Sequence, residues 1–175
     1  LSEKKELTLI TSIDERSAAF LALGISAASG KVTGVITTSG SAVANLLPAA
    51  VEADRSCHPL LFITADRPLR LKECGANQAV NQQDFLKSVC RHFDESPREG
   101  IHFISKARLN SLVEKSFLMA TEFPGPVHIN LAYEEPLHPC LLDQKKVLNG
   151  WQIDGFLGQK IISRNSHFIN KFPPL

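Results

Sequence analysis

At 175 residues the chain has room for one domain, or one domain with a tail, and for a full hydrophobic core. It is 43% hydrophobic and 21% charged, the balance of an ordinary globular protein, and its net charge of +1 offers no electrostatic basis for holding nucleic acid or a membrane surface. No apolar run reaches the length of a membrane span, and no basic-then-apolar signal sequence opens the chain.

The chain starts on Leu1 rather than Met, as a fragment or a processed form would. Leu7–Ile13 is apolar and β-branched and predicts a first strand. It breaks into Asp14-Glu15-Arg16 and then into an Ala- and Leu-rich helix, Arg16–Ala28, stopped by Ser29-Gly30. A strand that hands over to a helix in this way marks the carboxyl end of a parallel sheet, where open α/β folds place their ligand sites. On spacing alone, Asp14 and Glu15 complement the partial positive charge of a helix N-terminus. Val32–Thr38 predicts a second strand, ending in Ser39-Gly40-Ser41. A helix over Ser41–Asp54 puts Val43, Leu46, Leu47, Ala50 and Val51 on one face, with Pro48 inside it expected to kink the helix or leave a carbonyl unpaired.

Pro59–Thr64 is a continuous apolar run, as in a strand buried on both faces, and Pro68 stops its extension after Ala65-Asp66-Arg67. Leu69–Gln83 is polar and predicts a long loop, a length that is usually functional or mobile in a domain of this size. Ser88–Phe93 predicts a weaker strand. Leu109, Leu112, Val113, Ser116, Phe117 and Ala120, three and four apart, predict another amphipathic helix. Phe123-Pro124-Gly125-Pro126 is a turn that feeds a strand through Leu131. From about Leu141 the periodicity fades into a tail or linker, in which Trp151 and Phe156 are candidates for docking on the domain. Strands alternating with helices give an α/β class, a mostly parallel sheet flanked by helices.

Tests for chemistry exclude more than they find. Neither G-x-G-x-x-G nor G-x-x-x-x-G-K-[ST] occurs, so the chain is not expected to hold a nucleotide by its phosphates. The four cysteines, Cys57, Cys74, Cys90 and Cys140, contain no C-x-x-C pair and are expected to be free thiols in a reducing compartment. The six histidines lack H-E-x-x-H or H-x-x-x-H spacing, so no metal site held by this chain alone is expected. Ser39-Gly40-Ser41 lies where a nucleophile elbow would, without the G-x-S-x-G frame, and reads more simply as a serine N-cap. Asp14 and Glu15 are adjacent, so their side chains diverge and any chemistry is done singly. Arg67 reads equally well as a ligand cation or as the ion-pair partner of Asp66. Asn77 and Gln78 read as solvated loop amides.

Taken together, four strings carry more than any one does. Asp14-Glu15-Arg16-Ser17, Thr38-Ser39-Gly40-Ser41, Ala65-Asp66-Arg67-Pro68 and Cys74-Gly75-Ala76-Asn77-Gln78 stand in the order and spacing of one family. The chain resembles the N-terminal, pyrimidine-binding domain of the 2-succinyl-5-enolpyruvyl-6-hydroxy-3-cyclohexene-1-carboxylate synthases, thiamine-diphosphate enzymes of menaquinone and phylloquinone synthesis. Gly125-Pro126-Val127-His128-Ile129-Asn130, leading to Glu135-Pro136-Leu137, resembles the last strand of that domain.

The resemblance implies a transferase that decarboxylates 2-oxoglutarate and adds the resulting carbanion equivalent to isochorismate, with thiamine diphosphate and Mg2+ or Mn2+ as cofactors. Glu15 matches the family's activating glutamate, whose hydrogen bond to the aminopyrimidine ring nitrogen favours the imino tautomer that deprotonates the thiazolium carbon. Arg67 matches an active-site arginine suited to carboxylate substrates. Asn77 and Gln78 match positions lining the same pocket, where amides bond substrate, and Gln78 also cofactor. The resemblance also assigns Ser39 and Gly40 to cofactor binding, in a Thr38-Ser39-Gly40 turn that supports the pocket together with Asp14 and Arg16.

The family's Gly-Ser-Arg-Ser motif ahead of the glutamate is not in the chain, nor is the diphosphate domain with its metal ligands; Ser41 stands where threonine is commoner. Residues 1–139 are accordingly expected to be a pyrimidine-binding domain lacking its N-terminal portion, and residues 140–175 a tail or linker toward a middle domain. The resemblance further implies a homo-oligomer in the full-length enzyme, with no nucleic acid and no membrane span. It implies a cytoplasmic bacterial location, or a plastid one in a plant or alga. The chain alone is expected to be inactive. The alternative is a non-catalytic α/β interaction or regulatory module derived from the enzyme. The joint presence of Glu15, Arg67, Asn77 and Gln78 favours the first reading, because a scaffold has no physical need of them.

Overall fold

Four parallel strands form one sheet in the computed structural model, which describes residues 8–135 and 137. They are β1 (Thr33–Thr37), β2 (Leu60–Asp66), β3 (His92–Glu95) and β4 (Pro126–Ala132), in the order β1-β2-β4-β3. The helices are α1 (Glu15–Ser29), α2 (Ser41–Ala44), α3 (Leu47–Arg55) and α4 (Lys106–Glu122). The chain divides into units Leu1–Leu137 and His138–Leu175. Cys140, Trp151, Phe156 and the expected tail lie outside the described residues.

The strands sort the core by their period of two. Leu60 and Phe62 of β2 pack with Ala19, Val35, Val43, Leu46, Ala49, Ala50, Ala53 and Leu86 on one face. Leu61 and Ile63 point the other way, to Leu112 of α4 with Ile129 and Leu131. Helices therefore cover both faces, α1 to α3 on one and α4 on the other. The expected α/β class holds. β4 lies between β2 and β3, and every residue in it is buried, which explains its unbroken run. Phe62, fully buried, contributes about 2–3 kcal/mol by area alone.

α1 starts at Asp14, whose carboxylate accepts from the Ser17 N–H at 2.7 Å, and ends at Gly30, whose φ of 67° closes the last turn on the Ser26 carbonyl. Its inward face is Ala19, Ala22 and Ser26, small residues that let the helix approach closely, and the Ser26 hydroxyl donates to the Pro59 carbonyl at 2.9 Å. α4 starts at Ser105, whose hydroxyl accepts from the Arg108 N–H, and buries Leu112, Ser116 and Ala120.

Three sequence expectations change. The strand expected over Leu7–Ile13 does not form across Thr8–Ile13, where Leu9, Ile10 and Ile13 are exposed. An apolar β-branched run becomes a strand only beside a partner that takes its backbone groups, and no described strand lies beside it. The single helix over Ser41–Asp54 is two, broken at Asn45 and Leu46. Pro48 has no N–H for the Ala44 carbonyl and its ring crowds that turn, so the helix restarts with Pro48 in its first turn, where the missing donor costs least. The strand expected at Ser88–Phe93 is displaced to His92–Glu95. The Val89 and Cys90 N–H groups turn back to the Leu86 carbonyl at 3.1 and 2.9 Å, which keeps those residues out of the sheet.

Candidate functional site

The parallel register brings Thr37, Thr64 and Asn130 into line across β1, β2 and β4, and Glu95 of β3 opposite Asn130. The strands thus carry a row of polar residues toward their carboxyl ends. Thr64 and Asn130 are buried and find partners, while the buried Thr37 hydroxyl has none among the described residues. His128, fully buried, meets the Thr64 hydroxyl at 2.8 Å, and that hydroxyl lies 2.9 Å from Asn130 Oδ1. Asn130 Nδ2 donates to Asp66 Oδ2 at 2.9 Å, which fixes the orientation of the Asn130 amide and makes its Oδ1 an acceptor. The single Thr64 proton therefore goes to Asn130, and His128 donates from Nε2. Burial presses the His128 imidazole down to about 4, so it is neutral in the fold.

Asp66 is the hub. Its Oδ1 accepts from the Arg67 backbone N–H at 2.8 Å and from Lys72 Nζ at 2.6 Å, and its Oδ2 from Gln83 Nε2 at 3.0 Å as well as from Asn130. Lys72 also donates to the Val80 carbonyl at 2.7 Å, so it ties the loop after β2 back onto the strand end. Beside this hub lies a cavity of about 450 Å3, lined among others by Asp66, Arg67, Lys72, Gln83, Glu95 and Arg98. Parallel sheets place ligand crevices at this end.

The sequence-predicted residues fall around this frame. Glu15 is the first residue of α1, half-buried, and among the described residues no side chain is bonded to its carboxyl. Its neighbour Asp14 is the one engaged in capping, and the Ser17 backbone N–H, followed by the Ser17 side chain, holds the Asp14 carboxyl below its usual range. Ser39 is buried in the turn after β1. The serine N-cap expected there is absent. Gly40 is the cap residue of α2, no side chain completes it, and its φ of 78° and ψ of −136° suit glycine alone. Its bare face is filled by the loop: a methyl group on Gly40 would stand 3.1 Å from Gln78 Cβ. Gln78 has a positive φ of 57°, so the backbone is twisted where it meets that glycine. Asn77 is exposed next to it.

Arg67 lines the cavity, and its guanidinium does not pair with Asp66. That possibility is overturned by the saturation of Asp66 with Lys72, two amides and the Arg67 backbone N–H, which leaves the guanidinium only a 3.8 Å approach to the exposed Glu135. Gly40 and Gln78 thus meet, with Ser39 buried beside Gly40, and Arg67 stands at the cavity. No described contact joins Glu15 to either group.

Gln82, Gln83, Lys72 and Asn130 were not singled out by the sequence. The available signal was Thr64, His128 and Asn130, polar residues inside apolar strands, which must be paired if those strands are buried. Among the described residues no group of three or more His, Cys, Asp or Glu is placed to hold a metal ion, and no helix is long and apolar enough to cross a membrane. Cys57, Cys74 and Cys90 are free, and burial pushes the Cys90 thiol up to about 12, which makes it inert.

Comparison with known proteins matches residues 1–91 to the family described as thiamine pyrophosphate enzyme, N-terminal TPP binding domain. The chain belongs to that family. Every sequence-predicted site residue lies within the matched segment. As a thiamine pyrophosphate enzyme domain it has relatives along its whole length. It is 81% identical over 175 residues to a 2-succinyl-5-enolpyruvyl-6-hydroxy-3-cyclohexene-1-carboxylate synthase of Prochlorococcus marinus (strain NATL2A), covering 100% of this chain and 29% of the relative. Against the synthase of strain NATL1A the identity is 79%, with the same coverage. Against that of Synechococcus sp. (strain WH7803) it is 60% over 152 residues, 87% of this chain and 26% of the relative. The chain therefore spans less than a third of the length of these relatives.

Proposed function

We propose that this chain is the pyrimidine-facing part of a 2-succinyl-5-enolpyruvyl-6-hydroxy-3-cyclohexene-1-carboxylate synthase, a thiamine-diphosphate-dependent transferase acting on 2-oxoglutarate and isochorismate. The observation that carries the reading is the 81% identity along the entire chain to a protein of that name. Residues 1–139 form the cofactor-facing domain and residues 140–175 lead toward the next one.

The residues present fit one end of the cofactor. Glu15 offers a carboxyl without a described partner at a helix start, the group needed against a ring nitrogen. Ser39 and Gly40 offer a turn without side-chain bulk, backed by Gln78. In this reading the diphosphate and its Mg2+ or Mn2+ are held by another part of the enzyme. The full-length enzyme is then a homo-oligomer in which separate domains complete the site. On this reading the chain alone is inactive. Its location is cytoplasmic in a bacterium and plastid in a plant or alga.

Bound thiamine diphosphate would supply a carbon nucleophile for the carbonyl of a 2-oxo acid and a cationic ring that takes up the electron pair left when CO2 departs. The chain's own residues do the rest. Glu15, the first residue of α1, would offer its carboxyl as a hydrogen-bond partner to the ring nitrogen. Arg67, freed from Asp66, takes a substrate carboxylate with its planar fork. Asn77 and Gln78 offer amide donors and acceptors that orient substrate, and Gln78 also bears on the cofactor.

The test is turnover of the complete protein with both substrates, thiamine diphosphate and Mg2+, compared with its Arg67→Ala variant. Substrate-dependent CO2 release is expected in the parent. In the variant the KM for a carboxylate substrate should rise roughly tenfold or more, with cofactor affinity little changed. No turnover in the parent contradicts the assignment, and unchanged KM and kcat in the variant remove Arg67 from the site.

A further inference from the structure

Gln82 is fully buried and makes hydrogen bonds to three separate parts of the chain. Its Oε1 accepts from the Gly40 N–H at 2.9 Å. Its Nε2 donates to the Ala65 carbonyl and to Asn130 Oδ1, both at 2.8 Å. Both protons and the oxygen of the amide are used, and the orientation cannot reverse, since Gly40 presents a donor while Ala65 and Asn130 present acceptors.

We propose that Gln82 is a positioning residue that fixes the separation between the Ser39-Gly40 turn and Gln78, and through it the surface offered to the cofactor. Gln82 and Gln78 are four residues apart on one loop, and Gly40 is held by the first while it packs against the second. The loop is anchored to the sheet at the same point, through Ala65 at the end of β2 and Asn130 in β4. An aliphatic side chain would fill the space without desolvating an amide, so the amide is kept for the bonds it makes. A carboxylate would satisfy Gly40 and face two acceptors with none to give. The inference rests on the reading of Ser39, Gly40 and Gln78 as cofactor-facing.

The experiment uses the complete protein and three variants, Gln82→Leu, Gln82→Glu and Gln78→Ala. Thiamine diphosphate is titrated, and the thermal midpoint of the cofactor-free form is recorded. Gln82→Leu is expected to raise the cofactor dissociation constant about tenfold in protein that remains folded. Equal affinity in folded Gln82→Leu overturns the positioning role. Gln82→Glu carries the test if the leucine variant does not fold. A protonated carboxyl keeps the Gly40 acceptor and one donor. Its affinity relative to the parent should therefore approach one as pH falls, and worsen as pH rises and the carboxyl ionises.

The charged and titratable groups around that position are Asp66 through Asn130, Lys72 on Asp66, and His128 through Thr64. All three are present in the parent, so the ratio isolates residue 82. A ratio independent of pH overturns the inference. Gln78→Ala separates the two levels. Weakened binding there with none in either Gln82 variant defeats only the positioning role, and unchanged binding in Gln78→Ala defeats the cofactor-facing reading along with it.

Discussion

Asp66 shows how little a neighbour in sequence says about a partner in space. Adjacent to Arg67, it invites an ion pair, yet its two oxygens are taken by a lysine six residues on, an amide in the following loop, an amide from β4 and the backbone. Pairing across 64 positions cannot be read from local spacing, and for that reason the hub was illegible while the strand that carries it was plain. Removing the hub should be costly. Asp66→Ala strands the Lys72 ammonium and two amide donors, and is expected to lower the stability of the complete protein by about 3–5 kcal/mol, read from the denaturant midpoint.

His128 makes a second residue-scale prediction. Burial lowers its folded-state value from 6.5 to about 4, so the unfolded chain takes up a proton at a higher pH than the fold does. Its contribution is therefore complete above about pH 6.5 and is lost as pH falls toward 4, to the extent of about 3 kcal/mol. Denaturation of the parent and of His128→Asn across that window should show the slope in the first and its reduction in the second.

Elements were legible where pattern and partner agree. β2 read as a buried strand and β4 as a strand, and both form, because each has a strand on either side to take its backbone bonds. Thr8–Ile13 has the same β-branched, apolar chemistry and no described neighbour, and it stays irregular. Pattern states what a segment would bury, and the neighbours decide whether it does. Pro48 was legible as an interruption, since a missing N–H is a property of the residue itself. The two-helix outcome follows from it directly.

The turn between β1 and α2 was placed correctly and explained wrongly. Serine chemistry suggested a side-chain cap, and the structure uses the backbone freedom of Gly40 and the reach of Gln82 from across the sheet. Gly40→Ala should accordingly cost about 1–3 kcal/mol through the backbone alone. The added methyl should also push Gln78 outward and weaken thiamine diphosphate binding in the complete protein. A variant with parental stability and affinity would show that the turn tolerates a side chain.

At the scale of the molecule, periodicity gave the α/β class, and a chain of short strings gave the family, while the polar network beneath the site remained hidden in both. The two kinds of information differ physically. Periodicity reports burial, which is local. The strings stand at the start of α1, at the turns after β1 and β2, and in the loop that carries Asn77 and Gln78. What unites them is the carboxyl edge of the sheet, where Ser39, Gly40, Arg67 and Gln78 stand on a frame built from Thr64, Asp66, Gln82 and Asn130.

On the proposed function, Glu15, without a described partner at the start of α1, activates the cofactor. That role is tested most directly by kcat of the complete protein and its Glu15→Gln variant at saturating thiamine diphosphate. A fall of about a hundredfold or more is predicted, with the cofactor still bound and the thermal midpoint unchanged. Turnover within about twofold of the parent would contradict it, because an amide cannot do a carboxyl's work at the ring nitrogen.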